Sequence, residues 1–495
     1  MIDLLLIHPG NNNSIYQELG QTISGIEPPT FALLIATYVR RHGFSVELID
    51  MNTCDFDAAG LVNKIEELNP KLIAIYVYGL QPSASTQLMP TVIDLCTTIK
   101  SVNNKRKIFL SGTHPCALPQ QTLSETYADY ICYDEGFRTI VDLLRVLDSN
   151  SKIKDIKSLG YKEFSQVLFS DRGKLLTEEE LSHFVKQPAW DLIDLKKYRC
   201  HNWHAFEAPD KRSPYASMYT TLGCPFKCFH CCINTPFGDM LKGPRPYRLW
   251  DSNVIIDQID TLVQEYNVRN IKFVDEMFLL NKKHVLSICD SLIEREDYDL
   301  NIWAYARVDK TDEFYLEKLR RAGFRWLCLG IESGNEKVRH ADNKKFSNES
   351  IYTVVKRIHD FDIHIIANYI FGLPDDDLKS MQDTFDLAVE LNCEFDNYYC
   401  AMAYPGSPLY YYAVSQKWEL PLTWSGYSQH SYDSFPLRTK YLINAEVLKF
   451  RDEAFVKRFS DEKYKNMLLD KFGQPAVDSV NEMLRYKLKR KLLNN

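Results

Sequence analysis

Gly223-Cys-Pro-Phe-Lys-Cys-Phe-His-Cys231 places thiols at 224, 228 and 231 directly after an apolar, β-rich run from Tyr215 to Leu222. Three closely spaced thiolates can bind three irons of a cubane four-iron cluster and leave the fourth iron open for a small chelating ligand. Gly223 and Pro225 suit a loop that must wrap around such a group. Zinc would need a fourth ligand from Cys232, His230 or a distant residue. Purely structural cysteines would be packed in a core, and three within eight residues of a Gly/Pro-containing loop match that poorly.

Outward from this loop, residues 213 to 420 alternate strand and helix patterns in the manner of a β/α barrel. After the first strand, the expected strands are Ile271 to Val274, Ile302 to Ala306, Trp326 to Gly330, His364 to Ile370 and Tyr398 to Ala403. Polar groups follow each strand end, where barrel active sites are built.

The spacing of Cys224, Cys228 and Cys231 resembles the signature of the radical S-adenosylmethionine (SAM) enzymes, whose cluster binds the amino and carboxylate groups of SAM at its open iron. Six strands match the partial barrel of that family. The aromatic residue usual before the third cysteine is replaced by His230, whose imidazole can still stack on adenine. The resemblance implies a SAM site built from the strand ends. Asp275 and Glu276 would hold the methionine ammonium, in place of the family's Gly-Gly-Glu segment. Arg307 would pair with a carboxylate through its planar fork, beside Asp309. Glu332 and Ser333, in Gly330-Ile-Glu-Ser-Gly334, would contact ribose or methionine, and the backbone from Ile370 to Gly372 would approach adenine.

Residues 1 to 150 alternate short apolar runs with helical stretches, the pattern of a doubly wound parallel sheet. Its expected strands are Asp3 to Ile7, Ser45 to Ile49, Leu72 to Tyr78, Lys107 to Ser111 and Tyr130 to Tyr133. The loops His8 to Asn13, Asp50 to Asn52, Tyr78 to Ser83 and Ser111 to Pro119 would gather at the carboxyl ends of the strands, where such sheets bind ligands. No Gly-x-Gly-x-x-Gly follows the first strand, which argues against a dinucleotide. Ser111-Gly-Thr-His-Pro-Cys-Ala-Leu-Pro119 and Tyr130-Ile-Cys-Tyr-Asp-Glu-Gly136 resemble the cobalamin-binding domain that precedes the barrel in one large radical SAM class. That resemblance implies a corrin resting near Tyr78, Gly112, Thr113, His114, Glu135 and Gly136. The Asp-x-His-x-x-Gly loop that supplies a histidine to cobalt in other cobalamin proteins is absent.

Residues 151 to 212 read as a connector with no legible chemistry. Residues 421 to 495 read as a helical extension, with helices expected around Ala445 to Arg458, Asp461 to Phe472 and Ala476 to Leu492; it either caps the open side of the barrel or only packs against it. At 495 residues the chain implies two or three domains. A formal net charge of -7 argues against general nucleic-acid binding. The start has no basic region before its apolar run, so no signal peptide is expected, and no apolar run is long enough for a membrane span. Thirteen cysteines in this context point to a reducing cytoplasm, where an oxygen-sensitive cluster survives.

Together the two resemblances imply a cobalamin-dependent radical SAM methyltransferase acting on a small molecule. A flavodoxin or ferredoxin would reduce the cluster, SAM would be cleaved to a 5'-deoxyadenosyl radical, and the substrate radical would take a methyl group from cobalamin. A radical SAM cyclisation, oxidation or rearrangement is the alternative. A methylthiotransferase is disfavoured, because the C-terminal region does not read as a small β module. A non-catalytic cofactor-binding protein is the remaining possibility. The catalytic residues and the substrate are not legible.

Overall fold

A computed structural model describes all residues except 1, 11–12, 79–81, 150–151, 164–165, 239–242, 244 and 495. Two of the ligand-facing loops read from the sequence, His8 to Asn13 and Tyr78 to Ser83, thus lie partly outside the described residues.

The N-terminal sheet is built on runs of apolar residues. β1 (Leu4–His8), β2 (Val46–Asp50), β3 (Leu72–Val77), β4 (Ile108–Gly112) and β5 (Tyr130–Cys132) are parallel, in the spatial order β2-β1-β3-β4-β5. Leu4 and Leu6 enter the core on one face while Leu5 and Ile7 enter that on the other, so both faces are covered and the strands need apolar residues throughout. The sheet does not stop at residue 150. β6 (Leu159–Glu163) and β7 (Gln166–Phe169) extend it by two antiparallel strands. This corrects the reading of 151 to 212 as a plain connector. Both strands are short and carry exposed polar residues, Lys162, Glu163 and Gln166, at the open end of the sheet, and that hid them.

The rest of that segment also does structural work. Trp203 packs edge-on against Trp303 at 5.3 Å and Trp326 at 5.5 Å, closing the floor of the second sheet. His204 and Asn301 exchange side-chain to backbone hydrogen bonds of 2.9 and 2.8 Å at the same end.

The second sheet contains β8 (Tyr215–Met218), β11 (Asn270–Phe273), β12 (Asn301–Ala306), β13 (Phe324–Glu332), β14 (His364–Phe371) and β15 (Phe395–Cys400), all parallel and adjacent in chain order. A short hairpin, β9 (Thr221–Leu222) with β10 (Arg248–Leu249), flanks the cysteine loop. β8 and β15 form the two edges, so the barrel is open on one side. The helix Asn444–Ser460 lies against β15, where Arg458 and Asp396 form an ion pair with neither side chain exposed. Helices Glu462–Phe472 and Gln474–Met483 complete the extension. The last helix ends at Met483, well short of the expected Leu492; Arg490 instead leaves the helical path and is buried against Asp452, at 2.9 and 3.0 Å, and the Ser431 carbonyl. No helix among the described residues is long and apolar enough to cross a membrane.

Candidate functional site

The cysteine loop is shaped by contacts within the protein. Gly223 has φ +87°, and a Cβ there would meet the Pro246 carbonyl at 2.3 Å, so only glycine fits. Asn234 ties the loop closed: Oδ1 accepts from the Cys224 amide at 2.9 Å, and Nδ2 donates to the Cys224 carbonyl at 2.5 Å. Asn343 donates to the Lys227 carbonyl at 2.8 Å, and Phe229 accepts from the Leu409 amide at 2.9 Å. Cys224, Cys228 and Cys231 are half-buried on this frame, whereas Cys232 is buried.

Burial pushes the Cys224 thiol up to about 12, and burial together with the neighbouring thiols Cys232, Cys228 and Cys224 pushes Cys231 well above its ordinary value. Three such thiols become thiolates together only when cations replace their protons, which iron does. Arg307 adds a guanidinium N–H 3.4 Å from the Cys228 sulfur. Among the described residues no three His, Cys, Asp or Glu side chains gather as a single metal ion requires. The donor set fits a cluster held by three cysteines with one iron left open.

Next to this loop a cavity of about 1370 Å³ runs between the two sheets and into the barrel. Of the residues expected to hold SAM, His230, Glu276, Glu332 and Ile370 line it. His230 presents its ring with Nδ1 held 2.7 Å from the buried Asp342, which fixes the imidazole plane. Glu276 accepts from the Gly223 amide at 3.1 Å, and burial pushes its carboxyl up to about 8. A group of this kind is ionised near neutral pH when a cation comes to it, as the ammonium of SAM would.

The other four do not line the cavity and are engaged within the protein. Asp275 is fully buried; it accepts the Thr220 amide at 2.6 Å and the Thr221 amide at 3.1 Å, fastening the end of β8. Arg307 spends its fork on Asp309, at 2.9 and 3.1 Å, and lies over the Phe226 ring at 3.9 Å, so the fork is not open to a carboxylate of SAM. Ser333 is buried in a turn with Thr384 and Asn335. Gly372 donates to Asp376 at 3.0 Å, and a Cβ would meet Val447 at 2.4 Å. Glu332 itself sits at φ +66° and pairs with the buried Lys344.

None of the six residues expected to surround a corrin lines this cavity, and Tyr78 lines a small adjoining pocket that shares Glu27 and Val274 with it. Gly112 needs no side chain because its Cβ would meet the Val77 carbonyl at 2.3 Å, and a Cβ at Gly136 would meet the Tyr76 hydroxyl at 2.9 Å. Glu135 accepts from the Leu176 amide at 2.6 Å and from Arg248 at 2.7 Å, pinning β10 to the N-terminal domain. Tyr78 stacks on Phe31 at 4.4 Å. Thr113 and His114 are buried, with the His114 ring edge-on to Trp424 at 4.5 Å. From this domain the cavity is lined instead by Tyr16, Leu19, Ile23, Glu27, Ala84 and Gln87. No motif marks them; only the pairing of the two domains brings them to the barrel mouth. Among the described residues the Tyr78 hydroxyl, Thr113 Oγ1 and His114 Nε2 are buried without a hydrogen-bond partner. Unmet polar groups at the carboxyl ends of β3 and β4 fit a domain that holds a large polar cofactor.

Family comparisons accord with this arrangement. Residues 218–388 match the radical SAM superfamily and residues 18–144 match the B12 binding domain. The chain is a radical SAM enzyme with a B12 binding domain. Its cofactors are accordingly a 4Fe-4S cluster, SAM and cobalamin. An uncharacterized methyltransferase of Pyrococcus horikoshii is 24% identical over 92% of each chain. The anaerobic magnesium-protoporphyrin IX monomethyl ester cyclase of Cereibacter sphaeroides is 23% identical over 90% of this chain and 68% of that one. In fold, the radical SAM methyltransferase TsrM from Kitasatospora setae, solved with cobalamin and a [4Fe-4S] cluster, matches 94% of this chain and 90% of its own with a TM-score of 0.70 at 16% identity. OxsB, solved with aqua-cobalamin and SAM, matches 98% of this chain and 72% of its own with a TM-score of 0.68 at 14% identity.

The ion pair at Glu332 sets the outcome expected of its variants. Removing one member of a buried pair typically costs about 3–5 kcal/mol because the other charge is left unpaired. Glu332→Ala should therefore lower the melting temperature, and Glu332→Gln combined with Lys344→Met should restore most of it. Thermal unfolding followed by circular dichroism checks this. Equal melting temperatures for Glu332→Ala and the parent would show that the pair is not what holds this strand end.

Proposed function

We propose that this radical SAM enzyme is a methyltransferase that places a methyl group on an unactivated carbon of a small molecule. The observation that carries the reading is one continuous cavity, walled by the cluster loop and barrel strands on one side and by the B12 binding domain on the other. The methyltransferase relatives of similar length support it. When bound, the cluster and SAM supply a 5'-deoxyadenosyl radical and cobalamin supplies the methyl group.

The chain's own residues position and enclose. Cys224, Cys228 and Cys231 hold the cluster, with Arg307 donating to one sulfur. Glu276 takes the ammonium of SAM, Ile370 gives adenine an apolar wall, and His230 offers a ring fixed by Asp342. Tyr16, Ala84 and Gln87 face the corrin. The C-terminal segment contributes Phe455, Met483, Leu484 and Tyr486 to the wall and keeps water from the reacting centre. A cytoplasmic setting and a small electron carrier such as flavodoxin or ferredoxin complete the reading.

Glu276→Ala should weaken SAM binding about ten- to a hundredfold, the worth of one charged hydrogen bond, with cluster iron unchanged. Equilibrium binding of SAM to the anaerobic holoprotein measures this. Unchanged affinity would remove Glu276 from the SAM site. The non-methylating alternative separates by product. Methyl transfer yields S-adenosylhomocysteine alongside 5'-deoxyadenosine, and cyclisation or oxidation yields 5'-deoxyadenosine alone.

A further inference from the structure

The barrel interior carries information about the methyl acceptor, given the proposal above that acceptor and cofactors meet in this cavity. Its walls below the cluster loop are Lys272 of β11, Trp303 and Tyr305 of β12, Cys328 of β13, Asn368 of β14 and Asn397 of β15. The charged groups along the lumen already have partners in the protein. Lys272 donates to both carboxylate oxygens of Glu27 at 2.9 Å, with neither side chain more than 3% exposed. Glu332 is matched by Lys344 and Asp396 by Arg458. Asp452 is held by Arg451 at 2.8 Å and by Arg490 at 2.9 Å. Burial pushes the His201 and His430 imidazoles down to about 3, so both are neutral. Glu276 is committed to SAM. Lys449, Glu453, Lys457 and Lys487 also border the cavity, but they are exposed and lie at its rim.

A substrate charge brought into this lumen would leave water and find the counter-ions among the described lining residues already taken, which is the costly case for burial. Neutral recognition is available instead. Asn397 Nδ2 donates to Asn368 Oδ1 at 2.9 Å, and Asn368 Nδ2 points to the Cys328 sulfur at 3.0 Å. Whichever way these amides are turned, one polar end of the Asn397 carboxamide is left over at a cavity-lining position. The faces around it are apolar or aromatic: Trp203, Trp303, Ile366 and Phe395. We propose that the part of the substrate seated in the barrel is uncharged and largely apolar, with a neutral hydrogen-bonding group read by Asn368 and Asn397 and with no ion pair to the protein.

A matched pair of probes, 2-naphthylacetamide and 2-naphthylacetate, tests this on anaerobic holoprotein by ligand-observed NMR titration. They share ring and shape and differ in charge. The acetamide should bind at least about tenfold more tightly, since only the acetate buries an uncompensated charge. Asn368→Leu and Asn397→Leu should each weaken the acetamide by up to about tenfold while SAM affinity and cluster iron stay at parental values. Glu27→Gln leaves Lys272 without its counter-ion and should shift the preference toward the acetate. Glu27→Gln with Lys272→Met should restore the parental preference. The proposal is overturned if the acetate binds the parent as tightly as the acetamide, if neither asparagine variant changes acetamide affinity, or if neither probe binds. These affinities do not depend on methyl transfer, so they can fail while the methyltransferase reading stands, and the reverse.

Discussion

Replacing Cys224, Cys228 or Cys231 by alanine should remove the cluster and every trace of SAM cleavage, while Cys232→Ala should leave both largely intact. The expectation rests on position. The first three thiols are half-buried on a loop closed by Asn234, and Cys232 is buried with 4% exposure. Two thiolates cannot hold three irons of a cubane, so the loss should be complete. The parent should carry about four irons at this site after anaerobic reconstitution. Iron and sulfide analysis, with 5'-deoxyadenosine measured after reduction, gives the answer. Loss of the cluster in Cys232→Ala with retention in Cys231→Ala would put the loop in a different register.

Ala84→Trp should abolish cobalamin binding while the cluster, SAM affinity and uncoupled production of 5'-deoxyadenosine persist. Ala84 lines the cavity from the B12-domain side, so an indole there occupies space that a corrin needs without entering either core. Gly112→Trp, which the motif would suggest, is a poor test. Any side chain at Gly112 collides with the β3 backbone at Val77, and loss of cobalamin would then report misfolding. Ultraviolet–visible spectra of hydroxocobalamin-loaded protein, after removal of free cofactor, measure the binding. Parental cobalamin content in Ala84→Trp would move the corrin away from this wall.

Strands were legible where burial on both faces demands continuous apolar runs. Leu72–Val77 and His364–Phe371 fall within a residue or so of their expected limits for that reason. β6 and β7 were not, because a pair such as Leu159–Glu163 with Gln166–Phe169 at the end of a sheet is short and only partly buried. The cysteine loop was legible as a motif because its spacing is local: three thiols within eight residues stand half-buried on one loop. The SAM set divides by reach. Glu276 and Glu332 stand at strand ends and face the cavity, but Asp275, one residue before Glu276, turns back onto Thr220, and no sequence pattern tells the two carboxylates apart. The cavity wall on the side of the B12 binding domain was illegible for a stronger reason. Gly112 and Gly136 signal a missing side chain, and the sequence does not say whether a ligand or a neighbouring strand takes that space. Glu27 and Lys272 are 245 residues apart, so their pairing leaves no local trace at all.

The most direct test of the central claim needs no substrate. Anaerobic parent protein loaded with cluster and hydroxocobalamin is reduced in the presence of SAM, and S-adenosylhomocysteine is quantified against bound cobalamin. If SAM and the corrin share this cavity in a methyltransferase, S-adenosylhomocysteine should form in an amount that matches the cobalamin, and Ala84→Trp should form almost none. Formation of 5'-deoxyadenosine by the parent with no cobalamin bound and no S-adenosylhomocysteine would contradict the account.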